Sequence, residues 1–196
     1  MNYFTIRKKV RNFILGFSIA FSILFIFFFF ISKDFLLNDI IPEQQIKILL
    51  ICLSGAIFEE YIFTYIIFSF LNNNFRLFYS ILFTSLFFAL IHLGNSNSTL
   101  TSVISHFIGS NIYILAFIKS KDIFLSIGLH LGWNYAQVIC SQPMSDTLRE
   151  GIFSINLPIN EFWLGSNYGI ESGFSSLILR LTILLIFILS FEKMKK

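Results

Sequence analysis

The amino-acid sequence predicts an all-α, polytopic membrane helix bundle of about six transmembrane helices around a polar intramembrane cavity. Three observations carry that prediction. Hydrophobic residues make up 56% of the 196 positions against 13% charged, with a mean hydropathy of +0.77, which is more apolar surface than a soluble domain of this size can hide. Apolar stretches close to span length recur along the chain. Within them, glutamate, histidine and asparagine stand where lipid penalises them.

Crossing the hydrocarbon core takes about 20 mainly apolar residues. Asn12–Ile31 is the first such stretch. It is as long as a full span and no small-residue cleavage site follows, so it is expected to remain as a helix and not to leave as a secretory signal. Its run "FIFFFF" reads as lipid-facing bulk. Ile46–Leu71, Leu77–Leu93, Leu100–Ile118, Ile123–Cys140 and Phe174–Phe191 supply the remaining candidates. The long connection Ser141–Gly173, with Pro143 and Pro158, is a candidate lid or surface helix on the outer side. The chain therefore divides into an N-terminal tail, first helix and outer loop (1–45), a helix bundle (46–191) and a basic tail (192–196).

Loop charges orient the bundle. Arg7, Lys8, Lys9 and Arg11 precede the first stretch, Arg76 separates the second from the third, Lys119 and Lys121 the fourth from the fifth, and Lys193, Lys195 and Lys196 close the chain. All fall on one side of a six-helix arrangement. The other side carries Lys33, Lys47 and Arg149 among Asp34, Asp39, Glu43, Asp146, Glu150, Glu161 and Glu171. Lysine and arginine collect on the cytoplasmic face, so a multi-pass protein of the cell membrane with both termini cytoplasmic is expected. The net charge of +3 then reflects topology. No basic stripe interleaved with aromatics argues for nucleic acid. Cys52 and Cys140 lie in apolar stretches and read as small hydrophobes, not as a disulfide.

In "GAIFEEYIF", Glu59 and Glu60 sit inside an apolar helix. An ionisable group near the bilayer centre costs roughly 2.5–3.5 kcal/mol, so the pair needs partners or a wet cavity. Consecutive helical residues lie about 100° apart, which lets both point inward but not at one atom. "FALIH" places Phe88 and His92 four residues apart, and "HLGWN" places His130 and Asn134 likewise. An i, i+4 pair shares one helix face, so His130 and Asn134 can present two hydrogen-bonding groups to one point, as stabilisation of an oxyanion requires. The bland alternative is a polar cluster that fixes helix packing.

The ordered segments "EEYIFT" (59–64), "FALIH" (88–92) and "HLGWN" (130–134) resemble the three motifs of the CAAX protease and bacteriocin-processing family, over roughly residues 46–191. The resemblance implies a metal-independent intramembrane glutamate endopeptidase that needs no cofactor and cleaves a peptide or membrane-protein substrate in the lipid bilayer. It further implies bacteriocin or peptide-pheromone maturation, or self-immunity. Carried over by position, Glu59 is the general base with His92 helping to hold a water, His130 and Asn134 steady the oxyanion, and Glu60 orients the site. Where the family has arginine this chain has Thr64. Glu60 is then expected to be protonated or to pair with Arg180, set inside "LILRLTIL"; otherwise Arg180 snorkels to the outer interface. His106 matches no motif and, with Ser102, Ser105 and Asn111 nearby, is assigned to an interhelical polar seam. Two competing readings are a non-catalytic regulator or immunity scaffold on the same fold, and a zinc enzyme with two histidines and one glutamate as ligands.

Overall fold

The computed structural model describes residues 3–39, 41–147, 150–157 and 161–192. Arg149, Pro158, Lys193, Lys195 and Lys196, used above, lie outside the described residues.

Helices dominate. α1 (Tyr3–Ile31) leads through strand β1 (Asp34–Leu37) to α2 (Pro42–Glu59), whose first turn accommodates Pro42 because that position needs no amide donor. α2 runs without a break into a π-helix, Glu60–Ile67, and then α3 (Phe68–Asn74). The wider turn is visible in the Phe68 N–H, which donates to the Phe63 carbonyl five residues back. α4 (Leu77–Ile91) ends in a 3₁₀ turn, His92–Gly94. α5 (Leu100–Ser120) opens on a capping box in which Thr99 and Ser102 exchange side-chain and backbone bonds at 2.9 and 3.1 Å. α6 (Phe124–Ile139), strand β2 (Phe153–Asn156), the four-residue α7 (Glu161–Leu164), a 3₁₀ turn Ile170–Ser172 and α8 (Phe174–Glu192) complete the chain.

Among the described residues three helices are long and apolar enough to cross a membrane: Thr5–Ile31, Leu77–Gly94 and Leu100–Ser120, with Phe174–Leu189 a shorter apolar helix. This is a membrane protein with an all-helical bundle, but six full spans do not follow from helix length and composition. The expected span Ile46–Leu71 is divided among α2, the π-helix and α3 and carries both glutamates. α6 has 16 residues, a rise of about 24 Å at 1.5 Å per residue, and it lies in the middle of the bundle, with Leu129, Trp133 and Ala136 in the core around α1, α5 and α8 and Ile127, Leu131 and Val138 in the core against α2.

α1 and α6 interlock through glycines. A Cβ on Gly128 would stand 2.2 Å from the Phe13 carbonyl oxygen, on Gly132 2.4 Å from that of Phe17, and on Gly16 2.4 Å from that of Leu125. Gly128 and Gly132 form the small-x-x-x-small pattern that lets membrane helices approach to backbone contact. The obstacles are rigid main chain, so Gly128→Ala is expected to force the helices apart and cost about 1–3 kcal/mol as an overpacking defect, read as a lower thermal midpoint in detergent.

One end of the bundle gathers basic residues. Lys8 Nζ donates to the Ser120 carbonyl at 2.8 Å and the Asn12 amide to Asp122 at 2.7 Å, tying the start of α1 to the α5–α6 turn. At the opposite end β1 and β2 form a two-stranded antiparallel ribbon with Asp34 opposite Asn156 and Leu37 opposite Phe153. The ribbon departs from the all-helical expectation, and it also engages the phenylalanine run. Phe25 packs on Phe35 at 5.7 Å and on Phe153 at 5.9 Å, and Phe28 is fully buried. Only Phe29 and Phe30 of that run's four consecutive phenylalanines are largely exposed, as lipid-facing bulk would be. Both cysteines are free and buried.

Candidate active site

The π-helix begins immediately after Glu59, and such wide turns are often found at functional sites. At this junction Glu59 and Glu60 leave the same helix toward His130 on α6 and address its two edges. Glu60 Oε1 accepts from His130 Nδ1 at 2.8 Å, while Glu59 Oε2 lies 3.8 Å from His130 Nε2. His92, at the start of the 3₁₀ turn after α4, donates Nδ1–H to the Phe88 carbonyl at 2.7 Å, so the Phe88–His92 spacing orients the imidazole through the backbone. Its Nε2 points at Glu59 Oε2 from 3.9 Å. Tyr113 of α5 stacks on the His130 ring, with centroids 4.7 Å apart and planes 8° apart.

His92 Nδ1 donates to a carbonyl, which aims its Nε2 inward, and with His130 Nδ1 turned to Glu60 the His130 Nε2 is aimed at the same place. Three polar atoms therefore face one point: two imidazole nitrogens and Glu59 Oε2, a buried oxygen with no protein hydrogen-bond partner. The separations of 3.8 and 3.9 Å exceed a direct hydrogen bond and match the span of a shared water. Such a cluster calls for a donor between its members, and a water brings two. The site opens into a cavity of about 290 Å³ that Asn134 also lines, one turn beyond His130. Among the described residues no set of three or more His, Cys, Asp or Glu has the geometry to hold a metal ion.

Arg180 does not serve Glu60. Its Nη2 donates to Glu171 Oε1, its Nη1 to the Ser105 carbonyl, and its guanidinium lies 4.4 Å over the Trp133 ring. At 2% exposure it does not snorkel to the interface either. Gly109 makes room for it, since a Cβ there would meet Nη1 at 2.4 Å. The position that the family gives to arginine is filled by Thr64, whose hydroxyl donates to Glu60 Oε2 at 2.7 Å, so His130 and Thr64 between them satisfy both Glu60 oxygens. Thr64→Val is expected to strand a buried acceptor at a cost of about 1–3 kcal/mol, measured as lost thermal stability that Thr64→Ser restores.

Sequence reasoning missed the roof of this cavity. His106, assigned to a packing seam, stacks on His92 with centroids 3.9 Å apart and planes at 20°, and it shares a 2.8 Å hydrogen bond through Nε2 with the Tyr168 hydroxyl. The seam itself exists at the adjacent residue, where Ser105 and Ser176 hydroxyls meet at 3.1 Å. From the long connection between α6 and α8 Glu171 reaches in, buried, to accept from Trp133 Nε1 at 3.1 Å and Ser145 Oγ at 2.7 Å as well as from Arg180. Burial pushes the Glu171 carboxyl up; His106, Arg180 and the Ser145 hydroxyl outweigh it and hold the group at about 2. Burial likewise pushes the Tyr168 phenol up to about 12, which keeps its hydroxyl proton in place. The expected lid is thus a short ribbon, α7 and a 3₁₀ turn, with Met144, Ser145, Thr147 and Glu171 closing the cavity. The segment "GSNYGIESG", which holds Tyr168 and Glu171, resembles the family's stretch before its last helix, but it gives these residues no role because their partners lie far away in the chain.

Comparison with protein families matches residues 42–136 to the family described as type II CAAX prenyl endopeptidase Rce1-like. Neither curated proteins nor solved structures give a match. The matched region begins at α2, contains Glu59, Glu60, His92, His130 and Asn134, and stops short of the Glu171–Arg180 roof. The three ordered motifs, on converging helices around one cavity, all lie within residues 42–136, the stretch of this chain that is similar to the Rce1-like family of type II CAAX prenyl endopeptidases.

Proposed function

We propose that this protein is a multi-pass intramembrane endopeptidase that hydrolyses a peptide bond with water activated by Glu59 and His92. The Rce1-like domain supports membrane protease activity on a peptide or protein substrate in the bilayer. The observation that carries the finer reading is the convergence of Glu59 Oε2 with two imidazole Nε2 atoms at 3.8 and 3.9 Å around a point that calls for a hydrogen-bond donor.

In the proposed reaction Glu59 takes a proton from the water, assisted by His92, and the oxygen attacks the scissile carbonyl carbon. Negative charge moves onto the carbonyl oxygen, which meets the Asn134 amide and the Nε2–H of His130 in its protonated form, a proton taken from cavity water before the attack and kept through the cycle. Glu59 then returns its proton to the departing amine as the C–N bond breaks. Glu60 holds the His130 ring at Nδ1, the orienting role that a carboxylate behind a working imidazole plays elsewhere. The Glu59 side chain is 30% exposed and a Cβ on Gly55, one turn earlier, would meet open space, so the site is reachable by a membrane-borne chain. The basic end formed by Lys8, Lys119 and Lys121 supports cytoplasmic termini and a cavity that opens outward. A small hydrophobic or leader-bearing peptide, as in peptide maturation or self-immunity, fits that placement.

The test compares peptides released by cells carrying the wild type or Glu59→Gln, followed by the purified protein in lipid nanodiscs with and without chelator. Products that need Glu59 and survive chelation support the reading. Identical peptide profiles favour the scaffold alternative, and chelator-sensitive cleavage favours zinc.

A further inference from the structure

We propose that His106 is a positioning residue for His92, and that it transmits the seating of the outer loop to the catalytic pair. The inference rests on the proposed role of His92. A water-activating imidazole needs its ring plane fixed as well as its tautomer, because rotation about the Nδ1 hydrogen bond would swing Nε2 away from Glu59. The Phe88 carbonyl fixes Nδ1. Phe88 and His106 both pack against the ring, at centroid distances of 4.7 and 3.9 Å, and His106 is the near-parallel face at 20°. His106 is itself buried and anchored at one point on the loop, the Tyr168 hydroxyl, with Glu171 Oε2 3.8 Å from the same Nε2.

Tyr168 is well suited to report loop position. It is fully buried although it belongs to the connection, it receives the Asn95 amide at 3.4 Å, and its carbonyl accepts the Asp146 N–H at 3.0 Å. Neighbouring Gly169, at φ +102°, lies where a Cβ would meet the Pro143 carbonyl oxygen at 2.1 Å, so both limbs of the loop close on this spot. A loop lifted off the cavity withdraws Tyr168, frees His106 to turn, and releases the His92 ring. Cleavage competence is thereby tied to a closed roof.

The experiment uses the full-length protein in nanodiscs with a cleaved peptide found as above, and histidine-labelled protein for NMR. His106→Ala is expected to lower kcat tenfold or more with KM within twofold, and to shift the His92 ring resonances. His106→Phe, which keeps a ring against His92, is expected to stay within about threefold of wild type with those resonances nearly in place. Tyr168→Phe, which leaves the α5 packing intact, should move the resonances in the direction of His106→Ala by a smaller amount. Phe as slow as Ala, a loss confined to KM, or unmoved His92 resonances in both His106→Ala and Tyr168→Phe overturns the proposal. Should His106→Ala fail to fold, Tyr168→Phe decides. Absence of any cleavage by wild type sinks the proposed function instead, and the resonances still test the positioning.

Discussion

Glu59→Gln is expected to lower kcat about 10³-fold, within the 10²–10⁴ range that a placed general base supplies, with little change in KM. The substitution keeps the shape of the side chain and exchanges a carboxylate oxygen for a neutral amide. It removes the group that holds the water's proton between the attack on the carbonyl and expulsion of the amine. Thermal stability should stay level or rise, because Glu59 Oε2 has no protein partner to lose and a neutral group is easier to bury. Loss of activity joined to preserved stability separates a chemical role from a structural one; retained turnover would remove Glu59 from the mechanism. His92→Gln should show a similar loss.

The second large effect is on stability. Arg180→Leu is expected to destabilise the fold by about 3–5 kcal/mol, because Glu171 would keep its charge in a closed setting without its cation. Glu171→Gln is expected to cost less, since the amide still accepts from Trp133 Nε1 and Arg180 keeps the Ser105 carbonyl. The double variant should lose less than the sum, by the coupling that neighbours in one network show. Thermal midpoints of the four proteins in one detergent measure this cycle, and strictly additive losses would contradict a shared network. The same carboxyl sets an acid limit. Its folded value of about 2 lies below the ordinary 4.5, so its contribution is complete above pH 4.5 and disappears as pH falls toward 2. Roof opening should track that window in the wild type and be absent from it in Glu171→Gln.

Much of the site was legible in the sequence for a physical reason. Glu59, Glu60, His92, His130 and Asn134 are polar groups in apolar helices, and lipid makes such residues conspicuous. Their i, i+4 spacing also translated directly into local geometry: Phe88 orients His92 through its carbonyl, and Thr64 meets Glu60 one turn on. The failures are equally specific. With no arginine at position 64, the sequence left Glu60 to be protonated or to pair with Arg180, and Arg180 otherwise to snorkel; instead Glu60 meets His130 at its Nδ1 edge and Arg180 meets Glu171 in a connection whose fold no periodicity encodes. The π-helix was invisible because it preserves helical composition while changing the turn. Length and composition alone do not return six spans, because polar residues and burial by other helices, not lipid, set the length of α6 and the division of the second stretch.

The glycine seam between α1 and α6 has a consequence for biogenesis. Asn12 and Asp122, at one end of that seam, are 110 positions apart, so during synthesis the first helix enters the bilayer long before its partner leaves the ribosome. Its flat side must meanwhile be solvated by acyl chains that later have to be displaced. A fragment starting at residue 42, though it would carry the whole matched domain, would leave the bare main chain of α6 open to lipid and should assemble only when α1 is supplied as a separate peptide.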